Sequence, residues 1–250
     1  MSCRAHVGES SCGPPRSYDR LPRMTSPLPE YRLVRSRRRT LALVIDADGP
    51  LTVRAPLKLA NSVIQEFLTQ KADWVRKTQS KLKARATQRP SHTFETGDSF
   101  LWLGQACPLT VVPAQRPALQ FDGQCFTVAQ SARPNAKRHF ENWYKEQARL
   151  YLQSRLEHFS KAYSFKYHGL RITSARTRWG SCNSKNELAF AWRLLMAPPE
   201  VVDYVVVHEL AHTVHHNHGP KFWKLVADIL PNFKVHVRWL KEHGNKLHLE

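Results

Sequence analysis

The sequence His208-Glu209-Leu210-Ala211-His212 carries the main structural and chemical signal of this chain. Its two histidines are four residues apart, so on a helix both imidazoles leave the same face, one turn apart. Two ring nitrogens then reach one metal ion at the usual zinc–imidazole distance of about 2.0–2.1 Å. The preceding residues 201–207 are nearly all apolar, which indicates a buried helix whose polar side chains need partners. His208 and His212 are therefore predicted zinc ligands.

Glu209 directly follows the first of these histidines. A carboxylate in this position reaches a metal-bound water without binding the metal itself. We expect Glu209 to take a proton from that water and to pass it to the leaving group. The pattern therefore predicts a hydrolase in which Glu209 is the general base.

A third ligand must come from the residues that follow. His215 lies seven residues after His208, and a rise of about 1.5 Å per residue puts its backbone about 10 Å along a straight helix. One tetrahedral site cannot easily span that distance. Asn217 tolerates the left-handed conformation that ends helices, and Pro220 cannot continue one. We therefore expect the helix to end near Asn217, so that His218 folds back to the metal and His215 stays at the rim.

The spacing of His208, His212 and His218 matches the three-histidine spacing of metzincins. However, His215 stands where that class has its turn glycine, and no long metzincin-like downstream region follows. An acidic residue further along the chain, such as Asp228, is the alternative third ligand.

Two strand-like segments, over residues 170–175 and 188–195, precede the metal helix, and residues 176–183 form a turn-rich link between them. An exposed strand beside a metal site binds an extended peptide by adding it to the edge of the sheet. These segments therefore indicate where a peptide substrate would lie.

The charge of the chain is unusual. Its 250 residues contain 38 Lys and Arg against 20 Asp and Glu, a net charge of +18. Such a surplus attracts anions, so a nucleotide or another anionic small molecule is a candidate substrate, and nucleic acid is a candidate partner through the basic surface. A merely basic protein surface accounts for the charge equally well. No apolar run reaches 18 residues, so no membrane span is predicted.

The cysteines indicate the compartment. All five are scattered and form no C-x-x-C pair: Cys3, Cys12, Cys107, Cys125 and Cys182. This pattern is typical of free thiols in a reducing environment, so we expect a cytoplasmic location.

Several segments together resemble a known family. They are Arg178-Trp179-Gly180-Ser181-Cys182, Trp192 to Pro198, Tyr204 to His212, Asn217-His218 and Phe222-Trp223. With the basic, β-rich region from about Tyr31, they resemble the YgjP-like metallopeptidase family over residues 31–247. The His218-Gly219-Pro220-x-Phe222 element is also similar to SprT-like proteases, which act on proteins bound to DNA. The resemblance implies a zincin-like catalytic domain with zinc on His208, His212 and His218 and with Glu209 as general base. It implies no particular substrate.

The order of the predicted elements gives an α+β fold. Residues 1–29, rich in Pro, Ser, Gly and Arg, are predicted to form a disordered tail. Residues 30–132 are predicted to form a β-rich N-terminal region with one helix, over residues 62–85. Residues 133–250 are predicted to form the zincin-like metallohydrolase domain with the H-E-x-x-H helix. Further helices are expected over about 134–163 and 233–243.

Three functions agree with these features. The first is a zinc-dependent metallopeptidase that acts on a peptide or protein. The second is a metal-dependent hydrolase of nucleotides or another anionic small molecule, which the net charge and arginines 171, 176, 178 and 193 favour. The third is a nucleic-acid-binding module with a structural zinc. It is the weakest, because structural sites have four protein ligands and do not need Glu209.

Overall fold

The computed structural model describes residues 2–5, 30–45, 50–86 and 90–249, with the backbone alone for residues 2–5, 85 and 86. The chain divides into two units, Met1–Gln88 and Arg89–Glu250. Both units combine strands with helices, which confirms the α+β class. Among the described residues, no helix is both long enough and apolar enough to cross a membrane.

The first unit is a four-stranded sheet with one helix. Its elements are β1 (Ser2–Ala5), β2 (Tyr31–Ser36), β3 (Leu41–Ile45), β4 (Leu51–Pro56) and α1 (Asn61–Ala86). The strand order is β1-β3-β4-β2, and β3 and β4 pair antiparallel. Alternate residues of the strands, such as Leu43 and Val53, are fully buried and share a core with Ile64 and Leu68 of α1. The predicted helix of this region is therefore present, and its apolar stripe faces the sheet.

The predicted disordered tail, residues 1–29, lies outside the described residues except for Ser2–Ala5. These four residues differ from the prediction, because they pair antiparallel with β3. An edge strand presents unpaired N–H and C=O groups that another segment can satisfy, and composition alone does not reveal such pairing.

The second unit begins with another four-stranded sheet and a long helix. Its elements are β5 (Ser99–Trp102), β6 (Gln105–Val112), β7 (Leu119–Phe121), β8 (Phe126–Ala129), a 3-10 helix (Gln130–Asn135) and α2 (Ala136–Tyr163). Aromatic rings join the sheet to α2: Phe100 lies 4.0 Å from Phe140, and Phe126 lies 4.8 Å from Trp143, between ring centroids.

The division between the units differs from the predicted boundary at residues 132 and 133. Strands β5–β8 belong to the same hydrophobic core as α2 and the helix of the H-E-x-x-H sequence, so they lie in the second unit. Alternating apolar residues predict that strands exist, but they do not say which helix those strands pack against.

A small sheet precedes the helix of the H-E-x-x-H sequence. It contains β9 (Gly169–Thr173), β10 (Gly180–Cys182) and β11 (Glu187–Ala191), in the order β10-β11-β9. Strand β10 was predicted as part of a turn-rich link, and the strand predicted over 188–195 ends at Ala191, where a 3-10 helix (Trp192–Met196) begins. A continuous apolar run such as 188–195 does not distinguish a buried strand from a buried helical turn.

Three helices complete the second unit: α3 (Pro199–Ala211), α4 (Pro220–Ile229) and α5 (Phe233–His243). Pro199 and Pro220 stand in the first turns of α3 and α4, where a missing N–H leaves no helical hydrogen bond unmade. Helix α5 has the predicted bounds.

Candidate metal centre

Helix α3 is buried almost all round. Val202, Val206 and Val207 are fully inaccessible to solvent, and Glu209 is only 6% exposed. One polar residue of the helix has a protein partner, since Asp203 accepts two hydrogen bonds from Arg155, at 2.7 and 2.9 Å. Apart from the exposed Glu200 and from Tyr204, the polar side chains that remain on α3 and at its end are those of the H-E-x-x-H sequence.

The structure brings together the three histidines that were predicted as ligands. Each of His208, His212 and His218 offers a ring nitrogen, and these three nitrogens lie within 4.8 Å of one another. The Nε2 atoms of His208 and His218 are 3.1 Å apart. His215 and Asp228 are not in this group, and Asp228 pairs with Lys224 at 2.7 Å. The role of His208, His212 and His218 as metal ligands stays a prediction, but their three imidazoles converge on one point.

Helix α3 ends earlier than expected. Its last residue is Ala211, and not a residue near Asn217. The N–H groups of Thr213 and Val214 turn back to the carbonyls of Leu210 and Ala211, three residues earlier, and this tightens the chain into a turn. His218 therefore reaches the other two histidines from the loop between α3 and α4.

Hydrogen bonds orient two of the rings. His212 donates from Nδ1 to the backbone carbonyl of His215, at 3.1 Å, because a carbonyl accepts only from an N–H. The Nδ1 atom of His208 lies 3.4 Å from the hydroxyl of Tyr204. The bond to the carbonyl places the proton of His212 on Nδ1 and leaves a lone pair on its Nε2, as a metal ligand requires.

Packing supports the cluster from below. The ring of Phe222, at the start of α4, lies 5.0 Å from the ring of His208, 4.6 Å from that of His212 and 4.8 Å from that of His218. Phe222 is fully buried, and its ring packs against all three imidazoles. Sequence reasoning noted Phe222 only as part of a motif and missed this role.

Burial favours the uncharged form of two of the histidines. It lowers the pKa of His208 to about 4, and the neighbouring His212 and His218 act in the same direction. It also lowers the pKa of His212. Neutral imidazole is the form that binds a metal ion, so burial favours the form of His208 and His212 that a metal site needs.

Glu209 lies on α3 beside this cluster and faces β10. Burial raises the pKa of its carboxyl to about 7, and the nearby Arg178 guanidinium opposes that rise. A Cβ atom built on Gly180 would lie 2.6 Å from both Cγ and Oε1 of Glu209. Gly180 therefore leaves the space that the carboxylate occupies. A glycine inside a strand often marks such a close approach, so Gly180 would have indicated it if β10 had been predicted as a strand.

A cleft of about 350 Å³ opens over these groups. It is lined by Gly180, Ser181 and Cys182 of β10, by Glu209, and by His208, His212, His216 and His218. Strand β10 pairs with β11 alone within its sheet, so its other edge is unpaired among the described strands. The site thus combines three converging imidazoles, a buried carboxylate and an adjacent strand edge.

Comparison with known proteins identifies the class. A family model for the YgjP-like metallopeptidase domain matches residues 39–243. The chain therefore belongs to the YgjP-like family of metallopeptidases.

A search of solved structures found the crystal structure of the metallopeptidase zymogen of Pyrococcus abyssi abylysin. The similarity covers 38% of this chain and 97% of that one, at 20% identity and a TM-score of 0.35. The comparison with curated proteins gave no significant match.

Proposed function

We propose that this chain is a zinc-dependent peptidase that holds its ion with His208, His212 and His218 and uses Glu209 as general base. The observation that carries the proposal is the convergence of three imidazole nitrogens beside one buried carboxylate. The metallopeptidase family supports the reaction class. The identity of the ion and the roles of the residues are our inference.

The donor set fits zinc. Three neutral imidazole nitrogens suit this ion, and three protein ligands are typical of catalytic sites, which keep a fourth position open. Zinc bound there would supply Lewis acidity and lower the pKa of a bound water to about 7. A structural zinc is disfavoured, since the cluster found among the described residues has three members and a closed site needs four.

Glu209 fits the role of a base in position and in surroundings. It follows His208 on α3, lines the cleft, and makes no ion pair with a described residue. Its carboxylate would accept a proton at an oxygen atom and later deliver it to the leaving amine. A buried carboxylate without a paired cation is costly, which makes a purely structural role for Glu209 hard to explain.

The edge of β10 gives the substrate a place to bind. An extended peptide can pair with the unpaired backbone groups of Gly180–Cys182 and thereby continue the sheet. Because Gly180 touches Glu209, a peptide on this edge would run directly past the carboxylate. The same arrangement gives no comparable reason to favour a nucleotide.

One argument for an anionic small molecule is weaker than the sequence suggested. Of the four arginines offered for such a substrate, Arg193 is buried, and its guanidinium donates hydrogen bonds to the carbonyls of Ser174 and Ala175. Arg193 therefore holds a loop in place. We retain hydrolysis of an anionic small molecule as the outcome that the following experiment must exclude.

The test is a substrate panel. Casein, a mixed peptide library and the nucleoside triphosphates are incubated with the purified protein, with and without a chelator, and then after zinc is restored. We expect cleavage of casein or peptides that the chelator abolishes and zinc restores. The His212→Ala variant serves as the control for contaminating proteases and should be inactive under all conditions. Chelator-sensitive hydrolysis of a triphosphate without peptide cleavage would overturn the proposal.

A further inference from the structure

Strand β10 has a second groove on its far side. This groove has a volume of about 570 Å³, and Ser181, Ala189, Asn183, Glu187, Arg171 and Arg178 are among its lining residues. Ser181 and Cys182 line both this groove and the cleft over the histidines. A peptide on the edge of β10 would therefore pass between two depressions.

Strand register shows which of the residues that line the groove share a face of the sheet. Gly180 pairs with Phe190 and Cys182 with Leu188, and both partners on β11 are buried in the core next to α3. Successive side chains of a strand point to opposite faces. Ser181 and its partner Ala189 therefore lie on the other face of the sheet, away from the core.

Arg171 belongs to the same outer row. It pairs with Ala189, which in turn pairs with Ser181, so the three residues are cross-strand neighbours on one face. Neighbouring strands are about 4.8 Å apart, which puts β9 about 10 Å from β10, and the small side chain of Ala189 lies between them. The long Arg171 side chain therefore has open space toward β10, and it lines the groove.

Two guanidinium groups and one carboxylate line this groove. Arg171 forms no hydrogen bond or ion pair with another residue that the structure describes, whereas Arg178 is near enough to Glu209 to act on its pKa. Glu187 also lines the groove, but its carboxylate accepts a hydrogen bond of 2.6 Å from Asn183, and Asn183 in turn accepts one from the Glu187 N–H. The groove therefore keeps a surplus of positive charge, and Arg171 is available for an anion.

We propose that the groove is a subsite that selects acidic side chains in an extended peptide on β10. This inference rests on the proposed peptidase function and specifies its substrate class. Alternate side chains of a peptide strand added to β10 point to the outer face, where Arg171 lies, and Arg178 also lines the groove. A glutamate or aspartate there would accept charge-assisted hydrogen bonds from guanidinium donors, and a lysine would be repelled.

The experiment measures peptide binding apart from hydrolysis. Three fluorescent peptides of identical length carry Glu, Gln or Lys at every second position. Their Kd values are measured by anisotropy on the zinc-loaded Glu209→Gln protein, which binds but should not cleave. We expect the Glu peptide to bind about tenfold more tightly than the Gln peptide, and the Lys peptide to bind most weakly.

Variants show which residues cause the preference for the Glu peptide. Arg171→Gln together with Arg178→Gln should remove the preference for the Glu peptide, whereas Arg171→Lys with Arg178→Lys should keep most of it. Arg138→Gln makes the same charge change on an exposed residue of α2 that lines neither depression, and it should leave the preference intact.

Each other result contradicts the subsite. Equal binding of the three peptides, no binding of any of them, or a preference that survives both Arg→Gln changes would overturn it. The proposed peptidase function fails by a different result, which is the absence of peptide cleavage by the unmodified protein in the substrate panel.

Discussion

Gly180→Ala tests whether the packing of β10 against Glu209 is needed for the reaction. The backbone of Gly180 is not in the left-handed region, so alanine adopts it without strain and the only change is one methyl group. That methyl carbon would lie 2.6 Å from Cγ and Oε1 and 2.8 Å from Cδ of Glu209. Ordinary van der Waals contact begins at 3.4 Å, so the carboxylate must move by about 0.8 Å.

The expected size of the effect follows from this displacement. A misplacement of about 1 Å at a reacting group can cost about 10²-fold in rate, and the general base itself is worth about 10²–10⁴-fold. We therefore expect turnover of the best peptide from the library to fall about 10²-fold. Zinc content should not change. Overpacking of this kind should lower the free energy of unfolding by about 1–3 kcal/mol.

Two further variants separate the effect of Gly180→Ala on Glu209 from other effects of the added methyl group. Gly169→Ala adds the same methyl group to β9, where a Cβ meets no heavy atom within 4 Å, so its free energy of unfolding should be unchanged within about 0.5 kcal/mol. In the Glu209→Gln background, Gly180→Ala should reduce turnover only slightly further, because the base is already absent. Full turnover in Gly180→Ala, or a second large loss in the double variant, would refute the idea that Gly180 acts through Glu209.

Three more expectations concern the same cluster. His212→Ala and His218→Ala should each bind zinc much more weakly in titrations of the metal-free protein, whereas His215→Ala should bind it normally, since only the backbone carbonyl of His215 contacts the cluster. Glu209→Gln should keep zinc and fold while turnover falls about 10²–10⁴-fold, and unchanged turnover would exclude the general-base role. In the metal-free protein, Glu209→Gln should raise the free energy of unfolding at pH 8 by about 1–3 kcal/mol, because burial raises the pKa of Glu209 from 4.5 to about 7 and thus penalises its charged form. That gain should shrink between pH 7 and pH 4.5 and be absent below, where the carboxyl is neutral in both states; a gain in urea denaturation that does not depend on pH would contradict this cause.

Local sequence signals predicted the helices well, and they pointed to the three histidines that the structure brings together. The i, i+4 spacing of His208 and His212 requires only that a helix forms, and the apolar residues before them ensured that it is buried. The position of His218 was inferred from a helix end near Asn217, which was wrong by about two turns. The histidine still joins the cluster because the earlier turn at residues 212–214 returns the loop to the helix.

Features that depend on distant pairing were not predictable in the same way. Strand β10 has three residues, one of them glycine, and its extended conformation comes from hydrogen bonds to β11 and not from its own propensity. The boundary between the units was misplaced for a related reason, since the rings of Phe100 and Phe126 find their partners on α2 beyond the predicted boundary. Single-sequence patterns describe each element but not the surface it packs against.

The register of β10 against β11 decides which side chains of β10 face Glu209 and which face the second groove. A slip of one residue along β11 would turn Gly180 outward and push the Ser181 side chain toward Glu209, because the side-chain period of a strand is two. Hydrogen bonds fix the register at both ends, from Ala191 N to Trp179 O at 2.8 Å and from Asn183 N to Glu187 O at 3.1 Å. Trp179 is itself held against Gly244, where an added Cβ would lie 2.9 Å from its ring. The residues of the Arg178-Trp179-Gly180-Ser181-Cys182 segment therefore act together. The tryptophan anchors the strand, the glycine leaves space for the Glu209 carboxylate, and the serine faces the proposed acidic subsite.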